Sequence, residues 1–277
     1  MVTSAPGRAA DRGDIQDQPM RTLSVVIPAL NEAENIPHVI EAVPVAKLRD
    51  AGWDTEIVIV DNASTDDTGK IAADLGARVV FQPERGYGNA YQAGFNAVDS
   101  EVIATGDADR TYPFEALPTL LRHLDAKDVE FLSTDRLHAA NRKAMKASHF
   151  LANHLLSAIS RGLFEHEMRD SQSGMWIFRS YVWRSIEVSA PGMAFSQEIK
   201  NAAVHGGFRV EEVPIEYRVR AGEVKLKAMS DGWGNLRHLF THRLSAGAQG
   251  AAAAGRGRIP AATEDGEMAE CAPLTVN

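Results

Sequence analysis

The sequence has a single cysteine, Cys271. One thiol builds neither a disulfide framework nor a cysteine-based zinc site, and a reducing, cytoplasmic setting is the matching expectation. No run reaches the roughly 18–20 uninterrupted apolar residues that span a bilayer. The first twenty residues carry Asp11, Asp14 and Asp17 and hold no apolar stretch, so they do not read as a secretory signal. A basic excess is lacking too. The formal net charge of −8 argues against a nucleic-acid binder, though not against a local basic patch. Internal repeats are also missing.

What is present is ordinary for a globular protein: 277 residues, 44 % hydrophobic and 24 % charged. The reading is one α/β domain over residues 21–244, with a disordered extension at 1–20 and a disordered tail rich in Ala and Gly at 245–277. Short β-branched runs recur at Leu23–Ile27, Ile57–Val60, Val79–Phe81 and Val102–Thr105, the pattern of buried parallel strands. Between them the sequence predicts helices: one capped by Asn31 with Glu32 and Glu34 in its first turn, one near Thr68–Leu75, and one from about Asn89 to Val98. A helix at Phe114–Leu124 and a strand at Val129–Ser133 follow. Such alternation predicts a mostly parallel sheet flanked by helices, with ligands beyond the carboxyl ends of the strands. Further on, a long helix from Asn141 to about Gly162 carries Phe150, Leu151, Leu155, Leu156 and Ile159 on an apolar face. Asp170–Phe178 reads as a turn entering a strand, Ser196–His205 as a helix, and Val210–Val213 as an edge strand ending at Pro214.

Three acids fall at strand ends. Asp107-Ala108-Asp109 places two carboxylates where both reach one hard divalent cation, Mg²⁺ or Mn²⁺; two acids in a loop are otherwise merely solvated. Asp61 sits too early to cap the following helix and can accept hydrogen bonds from a base or a ribose. Glu32 is either a ligand-pocket residue or a first-turn dipole acid. Arg85-Gly86-Tyr87-Gly88-Asn89 offers N–H groups and a cation at a helix N-terminus, which favours phosphate; the alternative is a tight turn that needs glycine.

These segments, Val26-Ile27-Pro28-Ala29-Leu30-Asn31-Glu32, Val60-Asp61-Asn62-Ala63-Ser64-Thr65-Asp66, Gly86-Tyr87-Gly88-Asn89-Ala90 and Asp107-Ala108-Asp109, resemble in order the motifs of family 2 glycosyltransferases with the GT-A fold, a Rossmann-like architecture. Asp170-Ser171-Gln172-Ser173-Gly174 and the stretch from Val213 to Leu226 resemble the branch that includes dolichol-phosphate mannose synthase. The resemblance implies an inverting transferase that moves a sugar from a GDP- or UDP-sugar to an acceptor, polyprenyl phosphate in that branch. Asp61 would bind the base, with Pro28, Ala29, Glu32, Gly88, Asn89, Asp107 and Ala108 also lining the donor. Asp107 and Asp109 would hold Mg²⁺ or Mn²⁺. Arg136, Arg220 and Lys225 would meet an acceptor phosphate or the donor diphosphate. Two positions depart from the branch: Thr111 stands where it has a metal-binding Gln, and Val224 where it has a Ser.

A phosphate acceptor is already anionic at neutral pH. A soluble hydroxyl acceptor, the alternative reading, needs a general base, for which Asp170 and Glu198 are the candidates. The Arg142–Phe164 stretch, basic at its start through Arg142, Lys143 and Lys146, either rests on a membrane surface as a peripheral contact or packs on the core. His149 and His154, five residues apart and so on different faces, read as helix-surface or packing residues rather than metal ligands.

Overall fold

The computed structural model describes residues 19–138, 141–142, 147–164 and 168–220. The expected extension up to residue 18, the tail at 245–277, and Lys143, Lys146, Val224 and Lys225 therefore lie outside the described residues.

Seven strands form one sheet in the order β3-β2-β1-β4-β6-β5-β7. They are β1 (Arg21–Ala29), β2 (Trp53–Asp61), β3 (Arg78–Phe81), β4 (Val102–Thr105), β5 (Phe131–Asp135), β6 (Trp176–Arg179) and β7 (Val210–Pro214). Every neighbouring pair is parallel except those made by β6, which runs against both β4 and β5. The sheet is thus mostly parallel, as the alternation predicts. The reversed β6 has a consequence for the site: its beginning lies at the edge where its neighbours end.

β1 runs through Pro28 to Ala29, past the end of the Leu23–Ile27 run. The Ala29 carbonyl accepts the Asn62 N–H, so Ala29 faces β2 and Pro28 faces the other way. On that side β4 has already ended, at Thr105 opposite Val26. A proline lacks only the N–H that nothing there would have accepted.

Helices cover both faces. Alternate residues of β1 divide between two cores, as the period of two requires. Val25 and Ile27 pack with Ile36 and Val39 of α1 (Ile36–Ala42), Leu48 of α2 (Val45–Asp50) and the leucines of α5 (Leu117–Ala126). Val26 packs with Tyr91 and Phe95 of α4 (Tyr87–Ala97), Val182 of α7 (Ser180–Ser185) and Phe195 and Ile199 of α8 (Phe195–His205). The remaining helices are α3 (Thr68–Asp74) and α6 (Ala147–Phe164). The short α2 and α7 carry too few turns to show a period in the sequence.

The first helix differs from its prediction. It begins at Ile36 with Pro37 in its first turn and no acid there. Asn31 takes a positive φ of 53° and accepts the Thr65 N–H at 2.7 Å, joining the loops after β1 and β2. α6 departs further. Leu151 and Leu155 are exposed, as are Ala158 and Gly162, while Ser157 and Ser160 are fully buried. Ser157 and Ser160 therefore turn toward the protein. His154 packs edge-on against Phe150.

Gly94 of α4 shows how closely helix and sheet meet: a Cβ there would fall 2.5 Å from Val26 Cγ1 and 2.8 Å from Val60 Cγ2. Gly94→Ala should lower stability by about 1–3 kcal/mol, the usual cost of overpacking, with a reduced urea midpoint and an unchanged m-value as the check.

Candidate functional site

Asp61, Asp107 and Asp109 all stand at the carboxyl edge of the sheet. Asp61 closes β2, and its Oδ1 accepts the Ser64 N–H at 2.9 Å. Its other oxygen lies beside α3, so close that a Cβ on Gly69 would approach it to 2.8 Å. Ala29 is buried at the end of β1, and Glu32 accepts the Asn35 side-chain N–H at 2.7 Å. Asn62, which the sequence reading leaves without a role, braces this corner. It donates to the carbonyls of Gln82 and Glu84 and accepts the Gly86 N–H at 2.7 Å.

The Gly86–Asn89 turn is packed rather than open. A Cβ on Gly86, whose φ is +149°, would meet the Pro191 carbonyl at 2.3 Å, and one on Gly88 would meet that of Ala190 at 1.9 Å. The Asn89 N–H donates to Pro191 O, and its side chain donates to Arg85 O. Gly88 and Asn89 thus hold the 190–191 segment where a donor phosphate contact was expected. Glu198 holds the same segment from α8: its two oxygens accept the N–H groups of Ser189 and Ala190, at 3.2 and 2.7 Å. A carboxylate so engaged is a brace.

The metal-type pair follows β4. Ala108 is buried between the two acids. Asp107 accepts the Tyr87 hydroxyl at 3.0 Å. Burial, and next the Asp109 carboxylate, push Asp107 up to about 7, against the Tyr87 hydrogen bond and the charges of Arg136 and Arg220. Burial, with Asp107 second, drives the Tyr87 hydroxyl well above its ordinary value, so it remains a donor. Asp109 is buried; its Oδ1 accepts the Thr111 hydroxyl at 2.6 Å and the Thr111 N–H at 3.1 Å. Thr111, standing where the resembling branch has a Gln, orients the second acid. Arg220 Nε lies 3.4 Å from Asp109 Oδ2. Two oxygen acids crowded in one crevice with one of them pushed toward neutrality fit a hard divalent cation, which commonly takes one or two carboxylates together with phosphate oxygens. Among the described residues no group of three acids, histidines or cysteines is arranged to hold a metal ion, so any further ligands come from outside that set.

The reversed β6 delivers Asp170–Gly174 to the same edge. Thr105 at the end of β4 donates to Gly174 O and accepts the Trp176 N–H, both at 2.8 Å. Tyr112 accepts the Gly174 N–H at 2.7 Å. A Cβ on Gly174 would fall 2.2 Å from the Tyr87 hydroxyl and 3.2 Å from Asp107 Oδ1. Only glycine lets this turn close on the acids.

Asp170 is fully buried and bound by Arg136 through two parallel bonds, Nε to Oδ2 at 2.7 Å and Nη2 to Oδ1 at 3.0 Å. Burial alone would raise its pKa, but the charge and hydrogen bonds of Arg136 outweigh it and hold the carboxyl below its ordinary value. An acid in that state is a poor proton acceptor. Two donors of Arg136 are likewise engaged with Asp170 rather than with a phosphate. Its charge still reaches Asp107.

Asp170→Asn should destabilise the fold by about 3–5 kcal/mol, because it leaves Arg136 buried without its counter-charge. The sign with pH follows from the depressed pKa. The ion pair's contribution is complete above the ordinary aspartate range and is lost as pH falls through the depressed value. Urea titrations of both proteins should therefore converge in acid.

Residues 24–186 match the family model described as Glycosyl transferase family 2. Two proteins of Haloferax volcanii are similar over most of this chain. The low-salt glycan biosynthesis hexosyltransferase Agl6 is 37 % identical over 80 % of this chain, which spans 54 % of that protein. A dolichyl-phosphate hexose transferase is 34 % identical over 76 % of this chain and 89 % of its own length. The fold is shared with glucosyl-3-phosphoglycerate synthase from Mycobacterium tuberculosis, crystallised with Mn²⁺, UDP and phosphoglyceric acid: TM-score 0.61, 24 % identity, 82 % of this chain and 78 % of that one. With the family model matching more than half of the chain and the second relative nearly all of its own length, this protein belongs to the family 2 glycosyltransferases.

Proposed function

We propose that this hexosyltransferase moves a sugar from a nucleoside diphosphate donor to a polyprenyl phosphate, with Mg²⁺ or Mn²⁺ held by Asp107 and Asp109. The observation that carries the acceptor assignment is the state of the two candidate bases. Asp170 is locked to Arg136 and Glu198 to the Ser189–Ala190 backbone, so neither takes a proton from a hydroxyl. A phosphate monoester, with a second pKa near ~6, needs no such help. The dolichyl-phosphate hexose transferase among the relatives is consistent with this acceptor.

Asp61 and the loop after β1 receive the nucleoside. The acceptor oxygen attacks the anomeric carbon in line with the departing diphosphate, and the configuration inverts. A divalent cation held by Asp107 and Asp109 would neutralise charge on the leaving diphosphate oxygens. Arg220, beside Asp109, adds a guanidinium suited to two parallel bonds with phosphate. Gly174 and Tyr87 fix Asp107, and Thr111 fixes Asp109, so the acids need little rearrangement as charge develops.

A lipid acceptor requires approach to a membrane. Among the described residues no helix is long and apolar enough to cross one. α6 offers a peripheral contact instead. Its exposed stripe of Leu151, Leu155, Ala158 and Gly162 follows the 3.6-residue period, and Arg161 and His154 lie on one flank of that stripe. The Arg142 guanidinium stands over the Phe150 ring on the same flank, 5.0 Å from its centre. Apolar stripe and basic flank together suit an anionic lipid surface.

Two measurements test this reading. Labelled nucleotide sugars should be turned over with polyprenyl phosphate and Mg²⁺ or Mn²⁺, and Asp109→Ala should remove that transfer by a factor of about 100 or more, the scale of losing a charge-stabilising group. Full activity in EDTA or in Asp109→Ala would defeat the metal assignment, and exclusive use of a soluble alcohol would defeat the acceptor. Separately, Leu151→Glu with Leu155→Glu should weaken sedimentation with anionic vesicles while leaving thermal stability intact, since both side chains are exposed. Equal sedimentation of variant and parent would remove α6 from the membrane contact.

A further inference from the structure

α8 carries a lysine in an unusual place. Lys200 is 1 % exposed, and its ammonium donates to the main-chain carbonyls of Asp170 at 2.7 Å and Ser173 at 3.2 Å. These two carbonyls bracket the turn from the Arg136 partner to the residue before Gly174. Burying a lysine costs several kcal/mol unless it is well paired, and an apolar residue is the stable choice on a core-facing helix position. Ile199 and Ala203 of the same helix pack in the core in that way.

We propose that Lys200 is a positioning residue for sugar transfer: by tying Asp170 O to Ser173 O it fixes the turn that sets Gly174 against Asp107 and Asp170 against Arg136. The inference rests on the transferase reading above. Three links join Lys200 to the reacting region. Asp170 aims the Arg136 guanidinium, whose charge acts on Asp107. Ser173 O also accepts the Trp176 indole N–H at 2.7 Å, so the same carbonyl anchors β6. Gly174, next in the chain, leaves no room for a Cβ beside the Tyr87 hydroxyl and crowds Asp107. Without a donor at Nζ two buried carbonyls lose a partner, and the turn is free to draw back from the acids. Displacement of about 1 Å at such a site is enough to cost ~100-fold in rate.

The charged surroundings of Lys200 are Asp170 on the turn, Glu212 on β7, and Asp135 and Arg136 at the end of β5. α6 meets the same layer through the uncharged Ser157 and Ser160, which bond Ser171 and Asn201. Burial lowers the Lys200 pKa to about 8, against the pull of Asp170 and Glu212 and with a further push from Arg136. A neutral amine keeps its hydrogens but grips a carbonyl more weakly than an ammonium does. Turnover should therefore fall above about pH 8. Stability should move the other way. Above that pH the unfolded chain holds the proton that the folded chain has lost, so Lys200's own contribution rises until its ordinary 10.5 is reached. A purely structural lysine would make activity follow stability.

The test compares the full-length protein with Lys200→Met and Glu212→Gln. Nucleoside diphosphate affinity with Mn²⁺ is read by calorimetry, stability by urea titration, and kcat across pH with polyprenyl phosphate. Lys200→Met should bind nucleotide near the parent's affinity, lose about tenfold or more in kcat, and lack the alkaline fall. Glu212→Gln removes a charge that supports the ammonium, so the fall should shift to lower pH. A folded Lys200→Met with the parent's kcat, or one that keeps the alkaline fall, overturns the proposal. Should Lys200→Met not fold, an unshifted fall in Glu212→Gln overturns it alone. If the parent ignores polyprenyl phosphate, the acceptor reading fails by itself, and the same profiles are read on the slow transfer of the sugar to water, where persistence of the fall in Lys200→Met again decides against Lys200.

Discussion

Gly174 comes so near the Tyr87 hydroxyl that no side chain fits between them, and that hydroxyl donates to Asp107; much of the site is arranged around this approach. Gly174 and Asp107 belong to strands of opposite direction. β4 delivers Asp107 as it leaves the sheet, and β6 delivers Gly174 as it enters. Thr105 joins the two directly, through hydrogen bonds to Gly174 O and Trp176 N. Fixing this crossing brings three phenols together: Tyr87 on Asp107, Tyr112 on the Gly174 N–H, and Tyr91 on Gly174 O. A mobile crossing would let water in and dilute the field of the buried charges.

The same economy of contacts operates on the donor side. Gly86 and Gly88 are pressed against the 190–191 carbonyls, Glu198 holds the N–H groups of Ser189 and Ala190, and Asn62 ties the β2 end to the turn before α4. Several polar groups in recognisable motifs thus serve to lock one loop to another. Among the described residues, Asp107 and Asp109 stand after β4 with Arg220 beside the second. Each buried carboxylate outside that set has backbone or guanidinium partners, as burial of charge demands.

The sequence made the strands legible where apolar runs are long and β-branched, at β1, β2 and β4, because burial on both faces leaves no alternation to misread. The place of Asp61, Asp107 and Asp109 at the ends of β2 and β4 was legible because each follows a clear apolar run. The direction of β6 was not. Trp176–Arg179 is a short apolar run, and a run carries no arrow. Nor could the sequence show that Asp170 and Glu198 are engaged, since the first is claimed by Arg136 from 34 residues away and the second by a loop that looks featureless. Asn31 followed by two acids matches an N-cap signature, but its partner is Thr65 across the sheet edge, and the helix waits for Pro37. Lys200 gave no signal at all: a lone lysine in an amphipathic segment reads as solvated until the packing is seen. The inverted α6 was half legible. Its apolar residues were evident, but only packing shows that Ser157 and Ser160 face inward.

That inversion links the proposed membrane contact to the chemistry. Ser157 of α6 donates to the Ser171 hydroxyl and accepts the Ser171 N–H, and Ser171 follows Asp170 in the turn that Lys200 grips. The outer face of α6 meets lipid on the proposed reading, while its inner face holds the turn that abuts the acids. Tilting α6 would strain the Ser157–Ser171 bonds. The phosphate of an acceptor whose chain lies in the bilayer must meet the donor at a fixed height above the lipid. The rigid path from the stripe of Leu151 and Leu155, through Ser157 and Ser171, to Gly174 and Asp107 supplies a reference for that height, which loops on the far side of the sheet would not.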